Sequence, residues 1–144
     1  KSKLMTSELN DLILKEEKRK FDIAVVCIGM NDISDGKSVD AWMHDILKLR
    51  KIIIDKYEVS KILFSGIPPV RKLTQVPHPL LYILGLKAFI FGKALREFCV
   101  NNSECCFIDI DLPVSTKTMA IDGFHPNEVF YRAWAERLSQ AILK

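Results

Sequence analysis

The sequence has no apolar run of the roughly 18 residues that a bilayer-spanning helix needs. The longest candidate, LLYILGLKAFIFG from Leu80, is broken by Lys87 and by glycines. Neither sign of charge dominates, and a net charge of +3 over 144 residues is too mild to argue for a nucleic-acid partner. The densest basic stretch, Lys15 to Lys20 (KEEKRK), contains two glutamates and reads as the solvated end of a helix. There is no glycine-rich loop between a strand and a helix, which disfavours a nucleotide-binding domain. No hairpin signal, internal repeat, low-complexity tract or linker is visible, so residues 1–144 read as one domain. The three histidines, His44, His78 and His125, include no pair at the i, i+4 spacing of a helical metal site. No metal and no cofactor are expected. Four cysteines stand at 27, 99, 105 and 106, and the adjacent pair suits neither a disulfide framework nor a zinc site. They read as reduced thiols, two or three of them buried, which leans towards a reducing, cytoplasmic setting. The first residue is Lys1 and nothing after it resembles a signal peptide, so a processed chain or part of a longer protein is expected.

What is present is a regular alternation. Ser7 to Lys20 (SELNDLILKEEKRK) predicts a helix, with Thr6 or Ser7 as its cap and Leu9, Leu12 and Ile13 on one side. Phe21 to Ile28 (FDIAVVCI) is a near-continuous apolar run and predicts a strand buried on both faces. Gly29 to Lys37 predicts a polar turn. Ser38 then caps a helix to about Tyr57, with Trp42, Ile46, Leu49 and Ile53 spaced four, three and four apart. Lys61 to Ser65 predicts a second buried strand. Gly66 to Pro79 holds four of the six prolines and cannot be regular. A helix is predicted from Leu80 to Val100, with Leu84, Phe91, Leu95 and Phe98 inward. A strand follows from Cys106 to Ile110, then a loop from Leu112 to Pro126. A final helix runs from Asn127 to Leu143, with Phe130, Trp134, Leu138 and Ala141 on one face. Strands separated by helices argue parallel pairing in a three-layer α/β/α fold. Ligands in such folds bind beyond the carboxyl ends of the strands, which singles out the loops after Ile28, Ser65 and Ile110.

Three loops carry residues fit for chemistry. After the first strand comes Gly29-Met30-Asn31-Asp32, where glycine allows a tight exit. Asn31 offers a neutral amide that stabilises an oxyanion without titrating. The alternative is a turn in which Asn31 and Asp32 bond their own backbone. The last loop ends Asp122-Gly123-Phe124-His125-Pro126-Asn127. An aspartate three residues before a histidine can hold one imidazole nitrogen and leave the other as a base. The alternative is a turn capped by Asn127 with an incidental histidine. The loop Ser65-Gly66-Ile67-Pro68-Pro69 reads as a rigid wall. Gly29 of the first loop, with Ile67 and Pro68 of this one, are the candidate substrate-pocket residues.

VVCIGMND, followed some ninety residues later by DGFHPN and a helix with Tyr131 and Trp134, resembles the third and fifth blocks of the SGNH hydrolases, the GDSL esterase and lipase superfamily. The resemblance implies the flavodoxin-like fold of that superfamily. It makes Asn31 an oxyanion donor, His125 the general base and Asp122 the residue that orients it. The family's nucleophile is a serine in a Gly-Asp-Ser block near the amino terminus, and a glycine of a second block gives another oxyanion N–H. None of the serines here follows Gly-Asp. KLMTSEL is the stretch that aligns with the second block, with Leu4 standing where the glycine belongs. The resemblance implies about five parallel strands, against three counted. The expectation is therefore the later two thirds of a longer enzyme whose N-terminal strands, serine included, lie elsewhere. Another chain or segment would complete the sheet. The implied activity is hydrolysis of small-molecule or lipid carboxylic esters, such as acyl lipids or acetylated sugars. The alternative is a non-catalytic α/β binding or interaction domain on the same fold.

Overall fold

A computed structural model describes residues 4–68, 77–112, 117–119 and 126–143. Along the chain run α1 (Thr6–Lys15), β1 (Ile23–Val26), α2 (Met30–Ser34), α3 (Val39–Tyr57), β2 (Lys61–Ser65), α4 (Leu80–Val100), β3 (Cys105–Ile108) and α5 (Glu128–Ile142). The three strands form one parallel sheet in the order β1-β2-β3. Val26 lies opposite Phe64, and Phe64 opposite Phe107, so the carboxyl ends of all three strands share one edge.

Alternation along β2 explains the layers. Ile62 and Phe64 face one side, in a core with Trp42, Ile46, Leu49 and Ile53 of α3 and Phe91, Leu95 and Cys99 of α4. Leu9 and Ile13 of α1 pack against the same cluster. The Trp42 and Phe91 rings stack with centroids 4.7 Å apart and tie α3 to α4. Leu63 faces the other side, with Ile108 and Ile110, where Trp134, Leu138 and Ala141 of α5 cover it. Each large apolar side chain sunk in these layers contributes about 1.5–3 kcal/mol relative to exposure.

Four sequence expectations need correction. The first helix stops at Lys15, and residues 16–20 are exposed and non-helical. KEEKRK has no apolar side to bury, and the Lys56 ammonium of α3 binds the carbonyls of Ile13 and Leu14, closing the helix there. Leu12 is exposed, and the cap position is Met5, whose N–H donates to Glu8. The predicted polar turn contains the five-residue helix α2. The third strand starts one residue early, at Cys105, and ends at Ile108.

The fourth correction has consequences. β1 is not buried on both faces: Ala24 and Val26 face the α3 side, whereas Val25 is 41% exposed and Cys27 is exposed. The final helix packs beneath β2 and β3 with only Ile23 of β1 joining that cluster, so Val25 and Cys27 on the same face are left exposed by the described residues. The outer edge of β1 has no strand beside it among the described residues. Burial alone cannot be inferred from apolar composition when the covering element is absent.

The other thiols are enclosed. Cys99 and Cys105 are buried and Cys106 is half-buried. Burial, with Cys105 and Cys106 beside it, pushes the Cys99 thiol up to about 12. Burial and the Glu104 carboxylate push Cys105 up to about 11. Both are protonated and inert at neutral pH.

Candidate active site

At the carboxyl end of β1 the chain turns sharply into α2. Gly29 makes the turn at φ 111°, in the left-handed region. A Cβ there would also meet the Trp42 ring at 3.0 Å and Ile67 at 3.3 Å, so glycine is required twice over. The next turn carries Asn31 and Asp32, which point to different tasks.

Asp32 is fully buried. Its carboxylate accepts from the Thr6 backbone N–H at 3.3 Å, the Thr6 hydroxyl at 2.8 Å and the Lys37 ammonium at 3.2 Å. The Trp42 indole N–H donates to the Thr6 hydroxyl at 3.0 Å, and Lys37 also pairs with Asp45. Burial works to lower the Lys37 pKa, but the hydrogen bonds and charges of Asp45 and Asp32 outweigh it and raise the value. The Asp32 network fastens the start of α1 to α2 and α3. It replaces the turn in which Asp32 bonds its own backbone. Thr6→Val removes a hydrogen bond to a buried charge and leaves the indole N–H unmatched. It is expected to lower unfolding free energy by about 1.5–3 kcal/mol, read as a shifted urea midpoint with an unchanged slope.

Asn31 is half-exposed, and its side-chain amide donates to the Leu4 carbonyl at 2.9 Å. An amide nitrogen carries two hydrogens. One anchors the side chain to Leu4, and the second has no acceptor among the described residues. The Leu4 contact, 27 residues away, had no signal in the sequence except the alignment of KLMTSEL with the second block.

Asp122 and His125 lie outside the described residues, but the chain on either side of them is fixed. Met119 and Pro126 pair in an antiparallel bridge. The Asn127 amide donates to the carbonyls of Lys117 at 2.7 Å and Met119 at 3.2 Å, while its oxygen accepts the Phe130 N–H at 3.2 Å. Asn127 thus caps α5 as expected, and clamps the base of the loop as well. Met119 is buried in a cluster with Met30, Ile67, Leu81, Leu84 and Ala88. Met30 directly precedes Asn31. Met119, three residues before the second motif begins, thus packs with Met30 of the first, some ninety residues away in sequence.

Of the pocket candidates, Gly29 is buried and touches Ile67, while Ile67 and Pro68 are half-buried. Ser65, the serine nearest this edge on a strand, is buried. Its hydroxyl accepts the Trp134 indole N–H at 2.9 Å and donates to the Gly66 carbonyl at 3.2 Å. Burial raises the neighbouring Cys27 thiol, and a hydrogen bond with Ser65 partly offsets this. Ser65 is a structural hydroxyl, engaged on both sides. Among the described residues no group of histidine, cysteine and carboxylate side chains is arranged to hold a metal ion.

A family model described as GDSL-like Lipase/Acylhydrolase matches residues 3–138. Three solved structures share the fold. One is a protein from Streptococcus pneumonia named for platelet activating factor, with a TM-score of 0.70 and 20% identity, covering 83% of this chain. This chain spans only 59% of that protein's length. Another is a GDSL-like lipase from Bacteroides thetaiotaomicron, with a TM-score of 0.69 and 13% identity, covering 96% of this chain and 71% of its own. The third is the OSK domain of Drosophila Oskar, with a TM-score of 0.68 and 14% identity, covering 95% and 69%. No curated protein matches.

Proposed function

Because the chain belongs to the GDSL-like lipase and acylhydrolase family, we propose that it forms the later part of a carboxylic ester hydrolase. A serine from a preceding segment of the same protein acts as nucleophile. His125 takes the serine proton as the oxygen attacks the ester carbonyl, and returns it to the departing alcohol. Asp122 orients the imidazole. Asn31 donates its second amide hydrogen to the oxyanion of the tetrahedral intermediate. Acyl lipids and acetylated sugars are the substrate classes considered.

The observation that supports this reading is the packing of Met119, six residues before His125 in sequence, with Met30 of the helix bearing Asn31. The apolar cluster around Met119 offers a wall for an acyl group. Two features support a separate origin for the serine. No serine in these residues follows Gly-Asp, and among the described residues β1 has no strand on its outer edge and leaves Val25 and Cys27 exposed on one face.

The test uses the protein that contains this chain together with whatever precedes Lys1. It is expected to hydrolyse a short p-nitrophenyl ester and to be labelled by a fluorophosphonate on a serine outside these residues. Labelling of Ser65 instead would move the nucleophile into this chain. Neither hydrolysis nor labelling would favour the non-catalytic binding domain.

A further inference from the structure

Two adjacent residues of α2 grip the same short stretch of chain at two points. The Asn31 amide donates to the Leu4 carbonyl at 2.9 Å. Asp32, next to it, accepts from the Thr6 backbone N–H at 3.3 Å and from the Thr6 hydroxyl at 2.8 Å. The two grips differ in setting. Asn31 is half-exposed and Leu4 is 42% exposed, so packing does not enclose that contact. Thr6 and Asp32 are fully buried. A hydrogen bond to a carboxylate is roughly twice as strong as one between neutral groups. Leu4 therefore takes its position from Thr6, two residues on, and the Asn31 side chain takes its own from Leu4.

Trp42 fixes Thr6 in turn. Its indole N–H donates to the Thr6 hydroxyl at 3.0 Å, and that hydroxyl gives its own proton to Asp32. The hydroxyl is thus held from both sides, once as acceptor and once as donor. Trp42 is itself fully buried and stacked on Phe91. Its Cζ2 abuts Gly29 so closely that a Cβ there would stand 3.0 Å away. One rigid ring therefore touches both the turn that leads into Asn31 and the hydroxyl that holds the stretch Asn31 binds. Lys37 reaches Asp32 at 3.2 Å and also pairs with Asp45, so the charge beside Asn31 is answered from within the fold.

We propose that Thr6 is a positioning residue for the oxyanion donor: its hydroxyl, held between Asp32 and Trp42, sets the Leu4 carbonyl that aims the Asn31 amide. An oxyanion donor is effective because it is fixed before the charge develops. A misplacement of about 1 Å can cost about 100-fold in rate. Thr6 touches no reacting atom and acts through Asn31 alone. The kinetic consequence rests on the proposed ester hydrolase. The hold of Thr6 on the Asn31 amide is measured without turnover.

The experiment compares Thr6→Val and Thr6→Ser in the full-length protein. Valine keeps the bulk and gives up the hydroxyl, whereas serine keeps the hydroxyl and gives up a buried methyl. Loss of stability penalises both, but loss of positioning penalises only valine. In nitrogen-15 relaxation, the order parameter of the Asn31 side-chain amide should fall in Thr6→Val and hold its wild-type value in Thr6→Ser. Trp42→Phe releases the Thr6 hydroxyl from the other side and should loosen the same amide, so the result does not hang on one variant. On a p-nitrophenyl ester, Thr6→Val should lower kcat by about 10- to 100-fold with KM little changed. Thr6→Ser should stay within about twofold of wild type. Added to Asn31→Ala, Thr6→Val should lower kcat by no more than about twofold further, because the group it positions is already gone. Circular dichroism checks that the variants fold. An Asn31 amide as ordered in Thr6→Val as in the wild type would overturn the proposal. So would equal rate losses in Thr6→Ser and Thr6→Val, or an undiminished loss from Thr6→Val on top of Asn31→Ala. If the wild-type protein does not hydrolyse the ester, the catalytic reading falls, and the order parameter alone decides whether Thr6 holds Asn31.

Discussion

His125→Ala, made in the full protein, is expected to lower kcat for ester hydrolysis by about 100- to 10,000-fold, the usual contribution of a positioned general base. A serine hydroxyl is a weak nucleophile at neutral pH and needs a neighbour to take its proton. The chain has three histidines, and the other two stand elsewhere: His44 on α3 and His78 just ahead of α4, both exposed. Neither is on the loop that Met119 and Asn127 anchor. Asp122→Asn should cost less than His125→Ala, since the carboxylate only orients the ring. The check is steady-state kinetics on a p-nitrophenyl ester, with circular dichroism confirming the fold. A variant turning over at the wild-type rate would remove His125 from the mechanism.

Asn31→Ala is expected to lower kcat by about 100- to 1,000-fold with little change in KM, because the lost donor acts on charge that develops only in the transition state. On the proposed mechanism the side chain has two bonds to lose. The one to the Leu4 carbonyl is a modest structural contact, with a net contribution of about 0.5–1.5 kcal/mol. The variant should therefore fold with a small loss in melting temperature while losing most of its activity. A structural role alone would give the stability loss without the kinetic one. A KM increase with kcat intact would mean that Asn31 binds the ground state and is not an oxyanion donor.

The helical part of the fold was the most legible in the sequence. The spacing of Trp42, Ile46, Leu49 and Ile53 fixes the inward face of α3, and all four are buried. Ser38 accepts the Ala41 N–H, as its position before the apolar periodicity suggests. A five-residue helix such as α2 has too few turns to display a period, so it looked like a turn. Strand boundaries drifted by one or two residues because apolar character extends past the ladder at Ile28 and Ile110. The edge of the candidate site was legible where a side chain has a distinctive local job, as with the Asn127 cap. It was illegible where the partner is a backbone carbonyl or a distant hydroxyl. Leu4 holds Asn31 through an atom that every residue possesses. Thr6, a cap candidate in the sequence, spends its hydroxyl on Asp32 and Trp42. Val25 and Cys27 were misjudged because composition reports what a strand needs and says nothing of whether a cover is at hand.

The position of α5 bears on the order in which the ribosome delivers this domain. The far face of the sheet, Leu63 with Ile108 and Ile110, is shielded by Trp134, Leu138 and Ala141, and the indole of Trp134 reaches back 69 residues to Ser65. The α3 face can close during synthesis, because its helices and strands emerge ahead of α5. The other face stays open until α5 clears the exit tunnel. At an elongation rate of about 5–20 residues per second, the nascent domain spends a second or more as a half-covered sheet with its apolar underside exposed. A chain arrested before Glu128 would keep that underside open, and it is there that a chaperone would find it.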